Sequence, residues 1–333
     1  MAIILGAEAL TGVIGMHDAI DLLEQMSRHE AAGKTFTSQR LNAAFEGGWM
    51  RMMFGADFQS GCSATKVYHL AQGKGVRYVI SLYRIIDGEL LAVLDGRQIT
   101  DLRTGAASGV VARKIPLAGK VRVGLIGSGH QSRMQLECLA SVYAIDSADV
   151  FSPTLKNRED FACEMSARLG FQVRAVGTAE AAVRGHTLVV AATSSRSGEP
   201  VLRNEWLDAC RLLCAVGSTR PQSVEVDPEA FRDASLIVVD SLRAVDEAGD
   251  LQQAVKLGYV TAARQATLAQ IVSGQRTVPD SGRIIFKSVG TALQDLALAA
   301  RYYELLRECA GLPVAPDLAR LKQPMSAAGM GRG

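Results

Sequence analysis

The stretch VRVGLIGSGHQSR, residues 121–133, decides how this chain folds. Its first six residues form a short β-branched and apolar run that ends at Ile126, which reads as a buried strand. Gly127, Gly129 and Ser132 then occupy the three small positions of a GxGxxG-type loop, and helical sequence follows. Gly127 suits the tight turn. Gly129 lets the backbone approach a pyrophosphate at the positive end of the coming helix, and Ser132 is small enough for that helix to sit close on the strand. His130 and Gln131 belong to the same loop as cofactor-binding positions, and the backbone of His130 matters more than its ring. The pattern predicts a dinucleotide-binding unit.

The segments downstream agree with it. ADVFS (148–152), FQVRAV (171–176), TLVVAAT (187–193), RLLCAVG (211–217) and SLIVVDS (235–241) are nearly continuous apolar runs, as strands covered on both faces should be. Helical stretches separate them, so the expected fold is α/β, a Rossmann-type doubly wound parallel sheet. GRIIFKSVGTALQDLALAARYYELLREC (282–309) reads as a short apolar strand or turn and then a long helix with a stripe of Leu293, Leu296, Ala297 and Ala300. The tail PMSAAGMGRG (324–333) reads as disordered.

Residues before 119 have a different character. HDAIDLLEQMSRHEA (17–31) places Ile20, Leu22, Leu23 and Met26 on one helical face. TFTSQRLNAAF (35–45), GWMRMMFG (48–55), SATKVYHL (63–70), VRYVISLYRI (76–85) and LLAVLDG (90–96) follow as strands separated by Gly and Asp turn signals. They predict an antiparallel sheet with hairpins. GRQITDLRTGAASGVVARKI (96–115) reads as a helix of small residues, able to approach another backbone or a ligand closely.

Composition narrows the function classes. Lys+Arg is 36 and Asp+Glu is 34, so the net charge of +2 argues against a nucleic-acid binder or a polybasic membrane-surface protein. The apolar runs fall far short of the roughly 18 residues a membrane span needs. No targeting segment is visible, and cytoplasmic is the expected location. The six cysteines (Cys62, Cys138, Cys163, Cys210, Cys214 and Cys309) show no metal-ligand spacing, and the five histidines do not converge; reduced, mostly buried thiols and no metal are expected.

At the end of the second strand, Phe151-Ser152-Pro153-Thr154 stands where an NAD site usually carries an acid, and Asp149 is assigned to the strand's start. Ser152, Thr154, Lys156, Asn157 and Arg158 offer hydroxyls, an amide and two cations, which suit a 2′-phosphate. NADPH is therefore the expected cofactor, with NADH as the alternative. The structural alternative for this segment is a solvated helix start capped by Thr154 or Asn157.

Taken together, GLIGSGHQSRMQLECL, DLRTGAASGVVA, ATK, VGSTRP…EVD, LIVVDS and IFKSVGTALQDLA come in an order that resembles the ornithine cyclodeaminase/mu-crystallin family over residues 38–300. The resemblance implies a homodimer. It also implies a discontinuous α+β substrate and dimerisation domain, 1–118 plus 290–333, interrupted by an NAD(P)-binding Rossmann domain, 119–289. It points to Arg40, Lys66 and Arg103 as the grip on a substrate carboxylate, and to Met53 as a pocket wall. Each alone has a bland alternative: a surface cation for Arg40, a snorkelling Lys66, a local pair with Asp101 or Asp95 for Arg103, core packing for Met53. The family's cofactor positions correspond to Thr193, Ser194, Val216 and Gly217, and to Ser288 and Gly290, read as the N-terminus of the last helix with N–H groups toward the nicotinamide. Asp295, one turn on, either orients a pocket residue or pairs locally.

The chemistry follows from the residue types. Arg matches a carboxylate bidentately, and Lys66 beside other cations has a lowered pKa that suits an acid or base at a substrate nitrogen. Ornithine cyclodeaminases carry an Asp where this chain has Thr219 after Ser218, so Thr219 resembles the ketimine-reductase branch instead, and the proton comes from Lys66 or from a water near Thr219. The expected function is NADPH-dependent reduction of a small 2-imino carboxylate, cyclic or acyclic such as iminosuccinate, to an amino acid. The alternatives are an amino-acid dehydrogenase, an ornithine or lysine cyclodeaminase, and a non-catalytic NADPH-dependent binding protein.

Overall fold

Two sheets divide the chain. The computed structural model describes residues 2–195 and 198–316; the tail 324–333 lies outside them. In chain order the first set of strands is β1 (Ala2–Leu5), β2 (Thr35–Thr37), β3 (Leu41–Phe45), β4 (Gly48–Asp57), β5 (Cys62–Ala71), β6 (Gly75–Arg84) and β7 (Leu90–Asp95). The second set is β8 (Val121–Ile126), β9 (Ile145–Phe151), β10 (Gln172–Ala175), β11 (Leu188–Ala191), β12 (Leu212–Ala215), β13 (Ala234–Val239), β14 (Gln265–Thr267) and β15 (Arg283–Lys287); β16 (Val314–Ala315) comes last.

The first sheet runs β16-β1-β7-β6-β5-β4-β2, with β3 also on β4. The expected hairpins β4–β5, β5–β6 and β6–β7 are antiparallel. The sheet is nevertheless mixed, because β1 pairs with β7 in parallel. The apolar start of the chain is thus an ordered strand. TFTSQRLNAAF is two strands, and Ser38–Arg40 lie in the break between them.

The second sheet is parallel throughout, in the order β10-β9-β8-β11-β12-β15-β13-β14. Strand β15 forms after β13 and β14 yet inserts between β12 and β13. The helix that follows it, Ala292–Leu306, leaves this sheet to pack on β4, β5 and the helix Gly96–Ala112. The chain therefore returns to the first sheet only after completing the second.

The small-residue helix Gly96–Ala112 is the seam. Asp95 caps it, its carboxylate accepting from Arg97 N (2.9 Å). A Cβ on Gly105 would sit 2.8 Å from the Met134 carbonyl oxygen, and one on Gly109 would sit 2.7 Å from Cys138 Sγ. Those glycines let this helix lie against the helix His130–Val142 of the second sheet. One continuous core runs through both sides, from Leu5, Ile20 and Leu23 to Val123, Val150 and Phe286.

Of the thiols, Cys138, Cys210 and Cys214 are buried, Cys62 is half-buried, and Cys163 and Cys309 are exposed; all six are free. The expectation of mostly buried thiols holds fully for three of the six. No helix among the described residues is long and apolar enough to cross a membrane.

Candidate active site

The glycine loop opens a crevice where the strand order reverses, between β8 and β11, as open parallel sheets do. Gly127 has φ +107°, and a Cβ there would lie 2.4 Å from the Ala192 carbonyl oxygen, so no other residue fits. Its N–H donates to Phe151 O (2.8 Å), which ties the ends of β8 and β9 together. Gly129 is the N-cap of the helix His130–Val142 and has no side-chain cap. A Cβ at Gly129 would meet nothing within 4 Å. The helix N-terminus thus faces open space, a cavity of about 1130 Å³ bordered by Gly127–Gln131, Ser152, Thr193 and Ser194. Bare N–H groups, a close backbone approach and a crevice at the reversal point fit a dinucleotide pyrophosphate.

The residues after β9 divide. Ser152, Thr154 and Asn157 line the cavity. Ser128 Oγ donates to Ser152 Oγ (2.8 Å), fixing that wall. Lys156 and Arg158 do not line it: Lys156 pairs with Asp160 on the exposed helix face (2.9 Å), and Arg158 donates to Ser152 O (2.8 Å) and Pro153 O (3.3 Å). The cations on the cavity wall are instead Lys74 and Arg97, from the other sheet's side. Asp149 sits mid-strand rather than at the strand's start. His186 Nε2 lies 2.8 Å from its carboxylate, and Arg174 Nε donates to it at 2.7 Å, so it does not face the cofactor crevice.

A second cavity of about 300 Å³ adjoins the first, and Tyr78, Gln131, Ala192 and Thr193 line both. Its floor is one face of the first sheet. Side chains alternate along a strand, so Trp49, Arg51 and Met53 of β4 share a face. The register sets them opposite Leu70, Tyr68 and Lys66 of β5, which face Val76, Tyr78 and Ile80 of β6.

Lys66 is the centre of this face. Its Nζ donates to Thr100 Oγ1 (2.6 Å) and to Asp295 Oδ1 (2.7 Å), and it lies 5.2 Å from the Tyr78 ring centre. An ammonium has three donors, so one is left for a ligand. Burial pushes Lys66 down to about 8; Asp295 resists that fall, while Arg103 and Arg40 add to it. Asp295 therefore orients a pocket residue, the first of the two roles the sequence left open. It lies 3.7 Å from Arg103 Nε as well.

Arg103 comes from the small-residue helix and donates to Gln294 Oε1 (3.2 Å), not to Asp95 or Asp101. Gly290 makes room for it: φ is +82°, and a Cβ there would lie 2.4 Å from Arg103 Nη1. Arg40 is part-buried, not a surface cation. It donates to Val289 O (2.9 Å), Gly290 O (3.0 Å) and Met53 Sδ (3.3 Å), and pairs with Glu247. Burial raises the Glu247 carboxyl above its ordinary value, and Arg40 opposes that rise. Thr219, Val216, Gly217 and Ser288 complete the wall.

A further expectation needs correction. Ser288 and Gly290 do not start the last helix, which begins at Ala292. Their groups are already engaged: Ser288 Oγ and Gly290 N donate to Asp240 Oδ2 (both 2.6 Å), and Ser288 N donates to Ala215 O (3.2 Å). A buried carboxylate takes the N–H groups because no helix is there to direct them outward.

Sequence reasoning also missed the buried acids that shape the site. Glu225 accepts from Thr193 N (2.6 Å), Gly217 N (2.9 Å) and Ser218 N (3.2 Å), so one carboxylate sets the loops after β11 and β12. Burial raises its carboxyl, while Lys287 draws it down. Lys287 and Asp250 form a wholly buried pair (2.9 Å). The signal was present: Glu225 lies between two valines, and Lys287 ends an apolar strand.

The family profile described as ornithine cyclodeaminase/mu-crystallin matches residues 2–309. The chain belongs to that family. It is 31% identical over 311 residues to an alanine dehydrogenase of Archaeoglobus fulgidus, covering 91% of this chain and 94% of the relative. It is 29% identical over 225 residues to the ketimine reductase mu-crystallin of Mus musculus, 68% of each chain. Among solved structures, the Δ1-pyrroline-2-carboxylate reductase of Thermococcus litoralis, in complex with NADH and L-proline, superposes with a TM-score of 0.87 at 30% identity, covering 94% of this chain and 100% of that one.

Proposed function

We propose that this protein is an NAD(P)H-dependent oxidoreductase that reduces the C=N bond of a 2-imino carboxylate to an amino acid. The observation that carries this is the position of Lys66: a buried ammonium with a depressed pKa and one uncommitted donor, beside two guanidiniums, in a pocket that opens into a dinucleotide crevice. Arg103 and Arg40 hold the substrate carboxylate. That fixes C2 and its nitrogen over the sheet face, the entropic part of the catalysis. The cofactor, when bound, supplies the hydride that C2 receives. Lys66 gives a proton to the nitrogen, so C=N becomes CH–NH and the ammonium becomes an amine. Tyr68, Tyr78 and Met53 keep water from the clamp.

Run in reverse, the same groups make an amino-acid dehydrogenase, and the similarity to alanine dehydrogenase favours keeping that direction open. Cyclodeamination is disfavoured because Thr219 lines the pocket, and no carboxylate lines it among the described residues. A 2′-phosphate is preferred to a bare ribose, since Ser152, Thr154 and Asn157 line the crevice beyond β9 without an acid. The active form is a homodimer in the cytoplasm. Phe36, Leu41, Phe45, Met50 and Met52 at the β2–β4 edge are exposed apolar residues that a second copy would cover.

The test is oxidation of NADPH and NADH with cyclic 2-imino acids and with 2-oxo acids plus ammonia. Turnover is expected with at least one. Silence across the panel in folded protein that binds the nucleotide overturns the reading.

A further inference from the structure

We propose that the substrate carries a second carboxylate, and that Arg51 reads it. This rests on the imine-reductase reading and names the substrate class of the same pocket.

The pocket is lined by five cations, Arg40, Arg51, Lys66, Arg103 and Arg220, and by no carboxylate among the described residues. Three of the five are explained by one carboxylate and a proton transfer, and Asp295 and Glu247 partly neutralise them from behind. Arg51 is surplus to that task. Arg51 sits 4.6 Å over the Trp49 ring and Arg220 lies 5.8 Å from the same ring. The Arg51 side chain makes no hydrogen bond or ion pair among the described residues, and Glu247, already paired with Arg40, is the acid that feels its charge. An aromatic face holds a guanidinium in place without consuming its N–H donors.

The spacing fits a short dicarboxylate. Arg51 is directly opposite Tyr68, one pleat repeat along β5 from Lys66. That repeat is about 7 Å. The carboxyl carbons of a four- or five-carbon dicarboxylate lie roughly 4–6 Å apart, given ~1.5 Å bonds. With its first carboxylate on Arg103 and Arg40 and its nitrogen on Lys66, such a substrate brings its second carboxylate to the Trp49–Arg51 end. An apolar side chain would instead desolvate Arg51 with no acid near it but Asp246 and Glu247, the latter already paired with Arg40. The substrate class is therefore a 2-imino dicarboxylate, formed from a 2-oxo dicarboxylate and ammonia with loss of water, and the product is an acidic amino acid.

The experiment measures kcat/KM with the full chain and saturating ammonia, comparing oxaloacetate and 2-oxoglutarate with pyruvate, and including Δ1-pyrroline-2-carboxylate. At least one dicarboxylate is expected to exceed every monocarboxylate by tenfold or more. Arg51→Gln is expected to lower that ratio at least tenfold, through KM rather than kcat. A monocarboxylate preference, or an unchanged ratio in Arg51→Gln, overturns the proposal while leaving imine reduction intact. Absence of all turnover fells the reductase reading instead. In that case thermal upshifts of the protein with oxidised nucleotide decide about Arg51: larger shifts with L-aspartate or L-glutamate than with L-alanine or L-proline, lost in Arg51→Gln, support it, and equal shifts overturn it.

Discussion

The two adjoining cavities are built by opposite means. The crevice at the glycine loop presents backbone: Gly127 and Gly129 supply space, the helix His130–Val142 supplies N–H groups, and hydroxyls finish the wall. The pocket on β4–β6 presents charge: five cations line it, with Asp295 and Glu247 against two of them and aromatic rings against others. The centre of the first is one run of consecutive residues, Ile126–Gln131, with Ser152, Thr193 and Lys74 joining from elsewhere in the chain. The second draws on β4, β5, β6, two helices, the break that holds Arg40 and the loops after β11, β12 and β15. A backbone site tolerates side-chain exchange wherever no Cβ intrudes. A cluster of like charges survives only while each partner stays in place, so single changes there cost more.

That contrast sets the expected order of effects. Lys66→Ala should lower turnover about 10³-fold, the loss expected for a general acid, with nucleotide affinity little changed in a fluorescence titration. Equal loss of nucleotide binding would mean that the cavities are not separable. Gly290→Ala should come next. It moves the Arg103 guanidinium, and a clamp displaced by about 1 Å costs up to 10²-fold in kcat/KM; unaltered kinetics would remove Arg103 from the clamp.

The pH profile follows from Lys66. Reduction needs the ammonium, so kcat/KM should fall as pH rises through about 8, while the oxidative direction, which needs the amine, should rise through the same range. Asp295→Asn removes the charge that favours the ammonium, so the reductive limb should move to lower pH. A limb that stays put would assign the titration to another group. The smallest effect is expected in the crevice. Ser152→Asp should shift the NADPH/NADH ratio of kcat/KM about tenfold toward NADH, roughly the worth of one hydrogen-bonded charge. An unchanged ratio would place the 2′-end elsewhere on the wall, where Lys74 and Arg97 stand.

Legibility in the sequence followed the same division. The parallel sheet was readable because apolar runs, a glycine loop and intervening helices are local patterns. The position of β15 was not, since a strand's place in the sheet depends on pairings with β12 and β13, which are far off in the chain. The clamp was readable only as single residues. Arg40, Lys66 and Arg103 each have an ordinary alternative taken alone, and their convergence needs the hairpin register and the return of the last helix. Lys156 and Arg158 illustrate the converse: cations at the right place in the chain, already spent on Asp160 and on backbone carbonyls.

The sequence alone determined the fold class, the cofactor loop and the family, because each is written in short-range spacing that the backbone must obey. Only the tertiary structure decided which charges meet. It put Asp295 under Lys66, Glu247 on Arg40, Asp240 on the Ser288–Gly290 loop and Trp49 beneath Arg51. The reason is physical: a buried charge is tolerable only with its partner. That partner is chosen by proximity in space, which the order of residues along the chain does not record.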